Sequence, residues 1–116
     1  MKKVNLIVPC YNEAEALPLF KDELNKVIQT LDQYTFEILL INDGSTDTTL
    51  SVMKEICDTD SHYKYISFSR NFGKEAAMYA GFCNSDGDYA AIMDADMQDP
   101  PALLPDMLHC LETEDY

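Results

Sequence analysis

The sequence predicts a Rossmann-like α/β layer sandwich, a mostly parallel sheet with helices on both faces. Three observations carry this reading. Short apolar runs rich in residues that suit strands buried on both faces recur along the chain. Between them lie stretches whose apolar residues repeat at three- and four-residue spacing. The two kinds alternate with no hairpin signal, so successive strands are joined by crossovers rather than tight turns.

The first strand is Val4 to Val8, ended by Pro9. Leu17, Phe20, Leu24, Val27, Ile28 and Leu31 then mark one face of a long helix. "FEILLIND" is the second strand, followed by a helix marked by Leu50, Met53, Ile56 and Cys57, with Ser45, Thr46 or Asp47 available to cap its start. "YKYISFS" is the third strand, "KEAAMYAGF" a short alanine-rich helix, and "YAAIMDAD" the fourth strand. Pro101 opens a fourth helix with Leu104, Leu108 and Leu111 on one side. No repeat, low-complexity tract or linker interrupts this order, so residues 1–116 read as one domain. A four-strand α/β sheet usually continues, and the expectation is the N-terminal part of a longer protein, truncated here after its fourth helix.

Composition narrows the function classes. Hydrophobic residues at 47% and charged residues at 25% suit a soluble globular domain. No apolar run approaches the roughly 18 residues of a spanning helix, and Asn5 and Pro9 break the start too early for a signal peptide. Cys10, Cys57, Cys83 and Cys110 are widely spaced with no C-x-x-C pair, which favours reduced thiols in the cytoplasm. With 21 acidic against 8 basic residues and a formal charge of −13, the general field suits neither nucleic acid nor an anionic membrane. A phosphate-bearing ligand would need a local device.

In open parallel sheets, ligands gather outside the carboxyl ends of the strands. Here those ends carry "PCYNE", "NDGSTD", "SRNFGKE" and "DADMQDPP", four polar loops expected to rim one crevice. No G-x-G-x-x-G follows the first strand, and Gly73-Lys74 lacks the rest of a P-loop. The remaining device is carboxylate plus metal. If the chain stays extended, Asp94 and Asp96 share a face about 6–7 Å apart along the strand. Hard oxygen ligands suit Mg²⁺ or Mn²⁺, which keep open positions for diphosphate oxygens.

The motifs "IVPCYNEAEAL", "EILLINDGSTDTT", "SFSRNFGKEAAMYAG" and "DADMQDPP", in this order, resemble the N-terminal half of family 2 glycosyltransferases, and within them the dolichyl- or polyprenyl-phosphate sugar transferases. The resemblance implies a GT-A fold and inverting transfer of a sugar from a nucleotide-diphosphate donor, UDP- or GDP-linked, to a polyprenyl phosphate. It implies that Pro9, Tyr11, Asn12 and Glu13 lie against base and ribose, that Asp43, Gly44 and Ser45 complete the nucleoside pocket, and that Asp94, Ala95 and Asp96 meet the diphosphate. The resemblance further implies that Asp94 and Asp96 carry the chemistry and, with Gln98, bind the metal, and that Asp99 shapes the loop or caps the fourth helix. The acceptor site and any membrane contact, at the cytoplasmic face, belong to the remainder of such a protein.

Plainer roles stand beside these. Tyr11 also suits a half-buried strand end, Asp43 a turn in Asn-Asp-Gly, and Glu13 the start of a helix. Arg70 and Lys74 suit either phosphate contacts or salt bridges to local acids. His62 and His109 are assigned no chemistry. Three other functions fit parts of the pattern: transfer to a glycan hydroxyl, a receiver-like signalling module, and a nucleotide-binding regulatory module without catalysis. The receiver reading lacks the acid pair after its first strand, since "PCYNE" offers Glu13 alone.

Overall fold

The computed structural model describes residues 2–96 and 100–113. The elements alternate as expected: β1 (Lys2–Cys10), α1 (Ala16–Ile28), β2 (Tyr34–Asn42), α2 (Thr49–Thr59), β3 (Tyr63–Ser67), α3 (Lys74–Cys83), β4 (Tyr89–Ile92), a 3₁₀ turn (Pro101–Leu103) and α4 (Leu104–Thr113). The four strands lie in the order β3-β2-β1-β4, and every pair is parallel.

Alternation along β1 explains the two layers. Val4, Leu6, Val8 and Cys10 face a core built with Leu17, Phe20 and Leu24 of α1, Met53 and Ile56 of α2, and Leu104 and Leu108 of α4. Ile7 faces the other way and packs with Leu39, Ile41 and Ala77 of α3. Helices α1, α2 and α4 therefore cover one face and α3 the other. The chain steps outward from β1 to β3, then recrosses under α3 to place β4 on the far side of β1. Strand order reverses between β1 and β4, and that gap is where a ligand crevice opens in such sheets.

The apolar spacing marks α1 as far as Leu31, but the helix ends at Ile28. Thr30 N and Leu31 N donate to Val27 O and Ile28 O, so a tighter turn replaces the last helical turn while Leu31 stays buried. The fourth strand also ends earlier than expected. The last residue paired with β1 is Ile92, opposite Ile7; Met93 N still donates to Ile7 O at 3.0 Å, and Ala95 and Asp96 form a turn. Asp94 and Asp96 are thus presented by a turn, and the extended spacing expected for them does not hold. No described helix is long and apolar enough to cross a membrane.

Candidate functional site

All four strand-end loops meet at the β1/β4 gap. Pro9, Cys10, Tyr11 and Glu13 from the first loop, Asp43 from the second, Lys74 from the third, and Asp94 and Asp96 from the fourth line one cavity of about 190 Å³. The loops are bound to one another by side chains that receive backbone amides.

Asp43 ties the second loop to the third. Its buried carboxylate accepts from Phe72 N at 2.8 Å through Oδ1 and from Gly73 N at 3.1 Å through Oδ2. These amides lie at the start of α3, where donors lack intrahelical partners and a negative charge is favoured. Gly44 follows at φ +68°, and Gly73 sits at φ +100°, both in the region that glycine adopts without steric cost.

Asn12 ties the first loop to the second. It holds φ +54°, which asparagine tolerates better than most residues, and its Oδ1 accepts from Thr46 N at 2.8 Å and Asp47 N at 3.3 Å. The Asn12 backbone N–H donates to Ser45 Oγ at 3.0 Å. Asp47 extends the link, accepting from Thr49 N at 2.9 Å and from Ala14 N at 3.4 Å. The Thr49 hydroxyl also donates to Asp47 and itself accepts from Glu13 N at 2.9 Å. Asn12 Oδ1 and Ser45 Oγ are therefore engaged in joining loops, as is the Asp43 carboxylate, while Tyr11 stands exposed at the cavity.

The floor of the cavity is acidic. Glu13 has its carboxyl pKa raised by partial burial first, and then by the charges of Asp96, Asp94 and Asp47. The Cys10 thiol is pushed strongly up by burial, which makes it an inert wall rather than a nucleophile. Lys74 reaches back from the first position of α3, with Nζ 2.9 Å from Asp94 Oδ1. Arg70 lies over the Phe72 ring at 4.7 Å, and Phe72 meets Phe68 edge-on at 5.6 Å. Arg70 is not among the cavity-lining residues. His62 pairs with Asp60 at 2.9 Å, away from the cavity. Gln98 and Asp99 lie outside the described residues.

A divalent cation suits this donor set. Two carboxylates, Asp94 and Asp96, border one cavity, their charge raises the Glu13 pKa, and a cationic ammonium is already drawn to one of them. Among the described residues no group of three or more His, Cys, Asp or Glu is gathered closely enough to hold an ion alone. An ion at Asp94 and Asp96 would complete its shell with oxygens from elsewhere, as Mg²⁺ and Mn²⁺ commonly do with substrate phosphates.

A four-stranded parallel sheet whose strand-end loops converge on an acidic crevice at its switch point defines an α/β domain with its ligand site at the carboxyl ends of the strands. The chain belongs to glycosyl transferase family 2, whose family description matches residues 5–116. It is 41% identical over 106 residues to the bactoprenol glucosyl transferase of Shigella phage SfV, covering 91% of this chain and 34% of that protein. It is 38% identical over 113 residues to the undecaprenyl-phosphate 4-deoxy-4-formamido-L-arabinose transferase of Yersinia pestis (strain Pestoides F), covering 97% of this chain and 34% of that one. The chain thus spans about a third of the length of these relatives. Among solved structures, the mannosyltransferase PcManGT of Pyrobaculum calidifontis, in complex with GDP-Man and Mn²⁺, superposes with a TM-score of 0.80 at 24% identity, covering 95% of this chain and 32% of that one. That likeness shows a shared fold.

Proposed function

We propose that the protein transfers a hexose from UDP- or GDP-sugar to a polyprenyl phosphate, and that residues 1–116 supply the donor-binding half of its GT-A domain. The observation that carries this reading is the convergence of Asp94 and Asp96 with Glu13, Asp43 and Tyr11 on one cavity at the β1/β4 switch point. Support for the acceptor comes from relatives whose names specify bactoprenol or undecaprenyl phosphate.

In this reading Tyr11 offers an aromatic face to the nucleobase, and Pro9, Asn12 and Glu13 line the approach for base and ribose. Asp43, Gly44 and Ser45 fix the shape of the nucleoside pocket from its other side. Asp94 and Asp96 would hold Mg²⁺ or Mn²⁺, with Gln98 as a further ligand; Ala95 between them, expected to meet the diphosphate, is instead buried in the core and anchors the turn that carries the two carboxylates. A divalent ion held there would supply positive charge against the departing diphosphate, worth several kcal/mol in the transition state. Lys74, and Arg70 beyond the cavity, add positive charge on the phosphate side. The acceptor phosphate oxygen attacks the anomeric carbon opposite the leaving nucleotide, the bond to the diphosphate breaks with both electrons leaving on that oxygen, and the configuration inverts. A prenyl phosphate is already anionic at neutral pH, so it needs little help from a base. The acceptor site and membrane contact at the cytoplasmic face would come from the remainder of the protein.

The test is a transfer assay with the full-length protein, polyprenyl phosphate, Mn²⁺ or Mg²⁺ and labelled UDP- or GDP-sugars. A lipid-linked sugar, absent with Asp96→Asn, is the expected result. Label appearing only on a glycan hydroxyl would overturn the acceptor assignment, and no transfer from any common donor would overturn the enzymatic reading.

A further inference from the structure

Asp47 and Thr49 do not line the crevice, yet they hold the loop that forms its first wall. Asp47 is exposed on the loop before α2, and Thr49 is fully buried at the first position of that helix. Asp47 accepts from Thr49 N at 2.9 Å, which the capping of a helix start explains. The remaining contacts run the other way, to the first loop. Asp47 Oδ2 accepts from Ala14 N at 3.4 Å, and the Thr49 hydroxyl donates to Asp47 Oδ1 while accepting from Glu13 N at 2.9 Å.

A hydroxyl has one hydrogen and two lone pairs. The Thr49 hydrogen is committed to Asp47, whose carboxyl that bond, before any other cause, holds below its usual range. Asp47 is therefore ionised at neutral pH and can only accept, so Thr49 turns a lone pair to Glu13 N. The consequence reaches Tyr11. Its side chain is 46% exposed, and its direction depends on the backbone to either side. On one side Cys10 O accepts from Asp43 N at 2.9 Å, and on the other Asn12 is tied to Ser45 and Thr46, and Glu13 N to Thr49.

We infer that Asp47 and Thr49 are positioning residues for the nucleotide: acting through Glu13 N, they preset the first loop so that Tyr11 and Glu13 meet base and ribose without first having to be ordered. This rests on the donor-site reading above and adds to it two residues that touch no ligand. A loop already in its bound shape costs less entropy to bind against, so the pair acts on nucleotide affinity. Asp94 and Asp96 are carried by the turn after β4, so the requirement for Mn²⁺ stays.

The experiment is calorimetric titration of the full-length protein with UDP and with GDP in the presence of Mn²⁺. Thr49→Val keeps the shape and removes the hydroxyl. It should weaken the nucleotide that wild type binds about fivefold, the scale of one net hydrogen bond, at unchanged stoichiometry. Thr49→Ser, which keeps the hydroxyl, should restore the affinity. Asp47→Asn, at an exposed position, puts an amide group against Ala14 N or the Thr49 hydroxyl and should weaken the same binding about twofold. A merely structural threonine would lower the fraction of molecules that bind and leave the Kd of the rest unchanged. A wild-type Kd in Thr49→Val overturns the inference and leaves the donor site standing; where Thr49→Val does not fold, a wild-type Kd in Asp47→Asn does the same. If wild type binds neither nucleotide, both readings fall.

Discussion

Gly44 and Arg70 approach so closely that a β-carbon on Gly44 would lie 2.1 Å from the Arg70 carbonyl carbon and 2.2 Å from Asn71 N. The obstacle is backbone, which cannot rotate aside, and Gly44 also holds φ +68°. Gly44→Ala therefore combines left-handed strain with a forced shift of the third loop, and should cost at least ~2 kcal/mol. Urea unfolding is the check. A change within about 0.5 kcal/mol of wild type, the range of an ordinary surface substitution, would contradict the close approach.

Asp43→Asn keeps the shape but replaces one acceptor oxygen with an amide group. Phe72 N and Gly73 N each use a different Asp43 oxygen, so one donor would face another donor. The expected loss is about 1–3 kcal/mol, with faster hydrogen exchange at these two amides. Exchange unchanged at both would show that the carboxylate does not hold the third loop.

Asn12→Ala removes the acceptor shared by Thr46 N and Asp47 N and puts a residue that tolerates φ +54° poorly in its place. A loss of about 1–2 kcal/mol is expected, with Asn12→Gly recovering the backbone part alone. If Gly and Ala variants unfold at the same urea concentration, the positive φ is not a source of strain.

The pH dependence of Glu13 has a definite sign. Its carboxyl is raised in the folded protein by burial and then by Asp96, Asp94 and Asp47, so between the usual value of 4.5 and the raised one the folded state holds more protons than the unfolded. Stability contributed here falls as pH rises through that window and returns as pH drops toward 4.5. Glu13→Gln should unfold at higher urea than wild type at neutral pH, with the advantage gone below the ordinary glutamate range. An advantage that grows on acidification would reverse the assignment.

Much of this fold was legible because it depends on local pattern. Apolar runs gave the strands, three- and four-residue spacing gave α1, α2 and α4, and Pro101 marked the turn that leads into α4. The convergence of four polar loops was also readable, since parallel strands put all their carboxyl ends on one side. What the pattern does not carry is long-range pairing. Nothing in "NDGSTD" says that Asp43 receives amides 29 and 30 residues away, or that Asn12 does the same for a loop 34 residues on. Cys10 was missed as a cavity wall because a strand-end cysteine gives no sign of which face it lines. The turn at Ala95–Asp96 is not legible in the sequence because "YAAIMDAD" keeps its apolar character beyond the last paired residue, Ile92. The Lys74–Asp94 pair is one of the two uses, phosphate contact or salt bridge to a local acid, that the sequence leaves open for Arg70 and Lys74.

The central claim is that Asp94 and Asp96 form a metal-dependent nucleotide site at the β1/β4 crevice. Calorimetric titration with UDP and with GDP, each with and without Mn²⁺, on the full-length protein and its Asp96→Asn variant tests it most directly. Binding of one nucleotide that requires Mn²⁺, and that is lost in Asp96→Asn while the variant's unfolding midpoint is unchanged, is the expected result. Nucleotide binding of equal strength without metal, or retained in full by Asp96→Asn, would contradict it.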